Sequence, residues 1–579
     1  MAAIAKKFVN DPKNIVSEAV EGALLADPRL RKLSEHAVIL RADYEAVKAN
    51  SVAVISGGGS GHEPAMAGYV GDGCLTAAVC GGVFASPSVA AVLAAIRAVT
   101  GPKGCLVIVM NYTGDRLNFG MAVEQAKAEG LAVRMCFVAD DCALPKDKGI
   151  TGRRGVAGTV FVHKAAGAAA AAGGSLDDVA AAAERVAGNL GTLGVALTVC
   201  TVPGGQRSDR LDGDTIEIGL GIHGEPGMRQ VKGGVPAADA LADEMLAAVL
   251  DSGYLPCAKG SAVALLVNNL GGSPPIEIAV LARRAVQNLE GAARGLAVPR
   301  VFCGPFMTSL EMQGASLTVL RLSEGDLALL DAPTAAPAWA PAAPRDAPGL
   351  PADVPCPTGG GAAGDEGGEG KYALSATARA AAKEATTAAC TALQGMADDL
   401  TAWDAASGDG DCGITMARGA KAVLDGGAAE AAHGDTLMRQ LARCVGDSMG
   451  GTSGALLELC FRAAAASFVD SAASGAAADA AWRAAFVAGV DAIQYYGGAE
   501  QGYRTMLDAL LPAKRALAAG GWKEAAEAAA AGAEATKTMV ALAGRANYVE
   551  ATAYDGVPDP GAKAVAAALG ALVGHVAKL

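Results

Sequence analysis

The sequence predicts an α/β half, made of two α/β subdomains, followed by a linker and an all-α half. Three observations carry this. Short apolar runs alternate with helical patterns through residues 14–190. Residues 332–370 are rich in Pro, Gly and Ala and have almost no large apolar side chains. Ala-rich helical stretches then fill residues 371–579, with no convincing strand. A chain of 579 residues also exceeds what one hydrophobic core serves, since domains run to about 150 residues.

The elements follow in order. Residues 52–56, 75–80, 105–110 and 133–138 are apolar runs of strand length, and residues 88–99 and 117–129 have helical periodicity between them. Such alternation gives a mostly parallel sheet covered on both faces. Ligands of such sheets sit at the carboxyl ends of strands, where the polar stretches 57–64 and 111–116 fall. This first subdomain covers 1–190. A second, 191–331, has strands at 196–200, 215–220, 262–268, 300–303 and 316–322, a helix at 275–290, and mixed strand directions. The linker covers 332–370. The all-α domain covers 371–579, with helices that include 375–398, 476–495 and 522–544.

Composition narrows the function. Net charge is −13 and aromatic residues are 4% of the chain, which argues against a nucleic-acid binder. The 13 cysteines include no C-x-x-C pair, so reduced buried thiols are expected rather than a zinc ribbon or redox dithiol. No stretch reads as long and apolar enough to span a membrane. A cytoplasmic location is expected, with a short organelle signal as the alternative.

Four stretches carry chemistry. Residues 56–64, SGGGSGHEP, follow an apolar strand; their glycines bring backbone N–H groups close to a ligand, and His62 adds a titratable group. This is not a Walker A loop, because G-K-[ST] is absent. Residues 111–118, NYTGDRLN, place Asp115 in the loop after the next strand, where a helix cap is the plain alternative. Residues 217–227, EIGLGIHGEPG, flank His223 with glycines, which opens space against a side chain suited to acid–base or nucleophilic work. Residues 404–415, DAASGDGDCGIT, gather Asp404, Asp409 and Asp411. Three carboxylates so close repel one another without a cation, and hard oxygen ligands suit Mg²⁺. An EF-hand is excluded, since Ala420 stands where the twelfth-position Glu would be. GGTSGAL at 450–456 and DPG at 559–561 add loop contacts, and GYRTML at 502–507 and GRANYV at 544–549 add arginines for an anionic ligand.

Together with NNLGG at 268–272, RTMLDALLPA at 504–513 and DPGA, these motifs resemble the dihydroxyacetone kinase family in its single-chain, ATP-dependent form. The resemblance spans almost the whole chain. It implies a substrate-binding α/β half, a nucleotide-binding helical barrel and a homodimer. It implies that His223 adds to the ketone carbonyl to form a hemiaminal. Gly59, Ser60, Gly61, His62 and Asp115 would hold the triose hydroxyls, with Asp115 the general base and His62 assisting. Asp404, Asp409 and Asp411 match the carboxylates that hold two Mg²⁺ ions on ATP. Cys412, Gly413, Ile414, Thr415, Thr452, Ser453, Gly497, Thr505, Met506, Arg545, Asp559, Pro560 and Gly561 match nucleotide positions. The chain departs from the family in three places: Met110 replaces the substrate-contacting lysine before NYTGD, Tyr503 an aspartate, and Ile414 a threonine. The implied activity is phosphorylation of dihydroxyacetone and D-glyceraldehyde. The alternatives are FAD cleavage to a cyclic flavin phosphate at the same nucleotide site, phosphotransfer from a carrier protein, and a non-catalytic triose sensor.

Overall fold

A computed structural model describes residues 6–145, 152–211, 213–355 and 370–576. Contacts divide the chain into two compact units, Met1–Asp353 and Val354–Leu579.

The first sheet of unit 1 has strands β1 (Leu30–Lys32), β2 (Val38–Arg41), β3 (Ala53–Ser60), β4 (Ala77–Val83), β5 (Cys105–Met110) and β6 (Val133–Val138), in the order β1-β2-β4-β3-β5-β6. The four strands β4, β3, β5 and β6 are parallel. Their residues alternate between two cores, as the pleat requires. Ala53, Ile55, Val107 and Val109 face helices α3 (Val89–Val99) and α4 (Thr113–Ala128). Val54, Leu106, Ile108 and Met110 face α5 (Thr159–Ala171) and α6 (Leu176–Gly188). Helices α1 (Ile15–Ala26) and α2 (Tyr44–Asn50) precede β1 and β3.

β5 and β6 occupy the residues that their apolar runs predict. β3 runs further, through the glycines expected to turn at 57. A Cβ on Gly57 would sit 2.5 Å from the Val79 carbonyl oxygen, so the strand continues because glycine lets β4 lie against it. α4 also starts early, at Thr113, which moves Asp115 from the expected loop into the helix's first turn.

The second sheet has β7 (Leu190–Ala196), β8 (Ile216–Ile218), β9 (Arg229–Val231), β10 (Ala262–Asn269), β11 (Ala297–Gly304) and β12 (Gly314–Arg321), in the order β11-β10-β12-β7-β8-β9. Only the β10–β11 pair is parallel, so the directions are mixed as expected. Helices α7 (Ala238–Leu250) and α8 (Pro275–Glu290) cover it, and α9 (Asp326–Asp331) closes the unit. The strand expected at 196–200 lies earlier. β7 pairs with β12 from Leu190 to Ala196 and ends where its partner begins, at Gly314.

The expected linker begins too early as well. Trp339 is 5% exposed and packs on Phe161, Phe302 and Phe306, with ring centroids 5.0–6.4 Å apart. The backbone amides of Ala335 and Ala338 donate to Asp72 and Gly68, and Arg345 pairs with Glu290. One buried indole in a Pro-rich stretch is enough to fix it, and composition averages hide a single residue. Residues 356–369 of the expected linker lie outside the described residues. Trp339→Ala should lower the stability of unit 1 by about 3–5 kcal/mol, the usual cost of emptying a buried aromatic site. Chemical denaturation read by hydrogen exchange in unit 1 would measure it; a change within about 0.5 kcal/mol, as for a surface site, would contradict the packing.

In unit 2, helices α10 (Ala376–Gly395), α12 (Cys412–Asp425), α13 (Gly434–Met449), α14 (Gly451–Ser474), α15 (Ala478–Gly497), α16 (Leu507–Ala519), α17 (Trp522–Ala535) and α18 (Pro560–Val576) each pack on the next. α18 returns to α10 and closes a helical barrel, while α11 (Ala397–Ser407) packs on α12 and α18. Among the described residues no strand is present, only an isolated bridge from Ala373 to His433. The helix expected over 522–544 stops at Ala535. There Thr536 Oγ1 donates to the Ala533 carbonyl and accepts from the Asp559 amide, which turns the chain aside. α14 corrects another expectation, since by length and apolarity it could cross a membrane. It carries the Arg462–Glu458 pair, 2.7 Å, and packs between α13 and α15 as a barrel helix.

Candidate functional site

Unit 1 gathers its polar motifs at the carboxyl ends of β3, β4 and β5. His62 and His223, 161 residues apart, meet through their Nε2 atoms at 3.0 Å. His62 Nδ1 lies 2.8 Å from the Thr308 carbonyl oxygen, and His223 Nδ1 lies 2.8 Å from Glu225 Oε1. His62 stacks on Phe84, and His223 meets Phe84 and Tyr112 edge-on, at centroid distances of 4.9–5.0 Å. The His223 loop is anchored by Arg154, which pairs with Asp141 at 2.6 Å and donates to the Gly219 carbonyl. A Cβ on Gly221 would lie 2.0 Å from Glu225 Oε2, so the carboxylate packs directly against the backbone of this loop.

Hydrogen-bond logic places the protons. A carbonyl can only accept, so His62 Nδ1 donates to Thr308. Burial, helped by the charge of His223, lowers the His62 pKa to about 4, so His62 carries one proton and its Nε2 accepts. His223 Nε2–H is then the donor in the 3.0 Å contact, and its Nδ1–H serves the Glu225 carboxylate. Burial opposes ionisation of Glu225, but the hydrogen bond and charge of His223 outweigh it and hold Glu225 at about 2.

Asp115 is 7% exposed and accepts from Ser86 Oγ at 2.6 Å. Burial raises its pKa, with Ser86 and His223 pulling back in part. Ser60 Oγ donates to the Gly81 carbonyl, and the Gly61 amide donates to Glu63. Gly59 packs against the backbone of Phe84 and Ala85. Met110 sits in the apolar core on the α5 side of the sheet. Glu225 was legible only as a residue of the EIGLGIHGEPG motif; its partnership with His223 needs the fold of the loop.

His62 makes a pH test available. Its folded pKa of about 4 lies below the ordinary 6.5, so the unfolded chain binds the proton first as pH falls. Unit 1 should lose roughly 3 kcal/mol on this account between pH 6.5 and 4, keeping the contribution above that window. Denaturation across this range should show a shallower acid limb in His62→Phe; an unchanged limb would contradict a buried neutral His62.

Unit 2 holds a cavity of about 500 Å³ beside the end of α11. Asp404, Asp409 and Asp411 bring carboxylate oxygens within 4.8 Å of one another. Asp404 Oδ2 accepts the Asp411 and Cys412 amides at 2.9 and 3.0 Å, which fixes it toward the Gly turn. Asp409 pairs with Arg545. Three clustered hard oxygens fit a Mg²⁺ ion. Cys412, Thr415, Thr452, Ser453, Gly497, Thr505, Met506, Arg545, Asp559, Pro560 and Gly561 line the cavity as expected. Gly413 and Ile414 do not. Gly413 faces the Ala397 carbonyl where α12 crosses α11, and Ile414 is 60% exposed. Thr452 and Ser453 open α14, whose N-terminus favours anions. Burial and the neighbouring carboxylates push the Cys412 thiol up to about 12, so it is a wall and not a nucleophile. Burial likewise raises half-buried Asp559 to about 6. Ser407, Arg418 and Arg504 also line the cavity. Arg504 had a sequence signal in GYRTML, but its burial did not.

Carboxylates set for a hard cation beside a helix N-terminus are equipment for phosphoryl transfer, and this chain is a kinase. Residues 21–338 match the Dak1 domain family and residues 406–574 the DAK2 domain family. A Solanum lycopersicum protein provisionally named a 3,4-dihydroxy-2-butanone kinase is 47% identical, over 97% of each chain. A Bos taurus triokinase/FMN cyclase is 43% identical, over 98% of each. The crystal structure of the dihydroxyacetone kinase from C. freundii with AMP-PNP and Mg²⁺ superposes with a TM-score of 0.65 at 36% identity, covering 98% of this chain and 99% of that one. The chain belongs to the dihydroxyacetone kinase family.

Proposed function

We propose that this kinase transfers the γ-phosphoryl group of ATP to dihydroxyacetone, and also to D-glyceraldehyde. The observation that carries the reading is the His62–His223–Glu225 chain, packed against the rings of Phe84 and Tyr112 beside buried Asp115. His223 Nε2 first gives its proton to His62, three ångströms away. The freed lone pair adds to the substrate carbonyl carbon; a C–N bond forms, the C=O π bond breaks, and the oxygen takes the proton back from His62. Glu225 holds the ring in place throughout. Asp115, with a raised pKa, accepts the proton of the hydroxyl that attacks phosphorus. Asp404, Asp409 and Asp411 would hold Mg²⁺, two ions by family resemblance, which when bound neutralises charge on the phosphates. A homodimer is part of the proposal on resemblance alone, and a cytoplasmic location on the scattered, unpaired cysteines.

The relatives' names support short hydroxy-carbonyl substrates, since dihydroxyacetone and 3,4-dihydroxy-2-butanone share a ketone next to a hydroxyl-bearing carbon. A coupled assay for ADP release with MgATP and dihydroxyacetone tests the reading. Turnover with ATP alone as donor supports it and excludes dependence on a carrier protein. Binding of both ligands without ADP release would leave the triose sensor in its place. A second activity, FAD cleavage, is favoured by the bovine relative's name and uses the same acidic cavity.

A further inference from the structure

Arg504 is 1% exposed, yet it lines the cavity of unit 2. Its Nη2 donates to the Val557 carbonyl at 2.9 Å, and the guanidinium lies 4.2 Å from the centre of the Tyr554 ring. Nε and Nη1 have no hydrogen-bond partner. Buried cations are ordinarily paired, and an unpaired one costs stability. The backbone adds strain, since φ at Arg504 is 59°, in the left-handed region that only glycine adopts without cost. Asp508, itself 1% exposed, pins this loop by accepting the amides of Gly502 and Thr505. The fold thus holds a dry cation with two unpartnered donors, on a residue that also lines a polar cavity. Asp559 lies within electrostatic reach of both Arg504 and the metal-side carboxylate Asp404, so Arg504 belongs to the acidic end of the cavity.

We infer that Arg504 is a phosphate-binding residue, whose unpartnered Nε–H and Nη1–H take anionic oxygens of the nucleotide's phosphate chain. The inference rests on the nucleotide reading of this cavity and adds to it a protein-borne cation other than Arg545. Guanidinium is suited to the task. It stays charged when dry, it is weakly hydrated, and its hydrogen bonds to phosphate are charge-assisted. A site that is already desolvated spends little on binding.

The test uses the full chain with Mg²⁺ and AMP-PNP, read by calorimetric titration and by thermal unfolding with and without nucleotide. R504M should bind about 10- to 100-fold more weakly than wild type, the range of a lost charge-assisted contact. Without nucleotide, R504M should unfold at the wild-type temperature or above, because a buried unpaired charge has gone. R504K keeps a cation and should lose less affinity than R504M; it carries the affinity test if R504M does not fold. Wild-type affinity in R504M, or in R504K standing in for it, overturns the proposal. So does a nucleotide-free R504M that unfolds well below wild type while R504K binds no better, since that marks a structural arginine. A wild type that fails to bind Mg·AMP-PNP overturns the nucleotide reading, and this proposal with it.

Discussion

His223→Ala should reduce kinase turnover by at least about 10³-fold, with nucleotide binding unchanged. A three-carbon substrate offers little surface, so non-covalent contacts alone hold it weakly. Fixing it through a C–N bond removes translational and rotational freedom, and such positioning is worth up to several powers of ten in rate. His62 cannot substitute. Its Nδ1 is committed to the Thr308 carbonyl, and its Nε2 receives the shared proton. The variant should fold, since His223 is part-exposed on a loop whose anchor is Arg154. The measurement is ADP release with dihydroxyacetone, beside titration of Mg·AMP-PNP. FAD cleavage, the alternative activity, should survive, because the acidic cavity it is proposed to use is lined by unit 2. Turnover within tenfold of wild type would sink the covalent mechanism.

Asp411→Asn should have the second large effect, a loss of about 10³-fold in turnover that higher Mg²⁺ recovers only in part. Asp404 already spends one oxygen on two backbone amides, and Asp409 faces Arg545. Asp411 has no such commitment among the hydrogen bonds of the cluster, so its oxygens are the most available to a cation. The same substitution should remove FAD cleavage as well, which separates it from His223→Ala. Titration of AMP-PNP with and without Mg²⁺ gives the direct readout: the difference between the two curves should shrink in the variant. An unaltered metal dependence would mean that the cation sits elsewhere.

Much of this was readable before any coordinates, and the reasons differ by residue. β5, β6 and α8 were legible because uninterrupted apolar runs and a Pro-started amphipathic stretch leave few alternatives. The acidic triad was legible because like charges crowd within eight residues. Glu225 and Arg504 were not. Each lay in a motif, but Glu225 acts through its hydrogen bonds to His223, and Arg504 through burial by Tyr554 and Val557. Both depend on contacts that sequence spacing does not encode. β7 was misplaced because its end is set by the partner strand β12, 118 residues later by the Ala196–Gly314 pairing. Trp339 was lost in the average composition of its neighbours, although burial is decided one side chain at a time.

The acidic cluster of unit 2 has a consequence for how the two ligands of the proposed reaction respond to salt. The triose of the proposed reaction carries no charge, so salt changes little in its contact with the His62–His223–Glu225 relay. The cavity of unit 2 instead sets Asp404, Asp409 and Asp411 against arginines, and a polyanion with its cation must enter it. Counter-ions crowd or leave one site and largely ignore the other. Ionic strength should thus act as a dial on the donor alone, leaving the acceptor's affinity to shape, ring contacts and the proposed covalent bond.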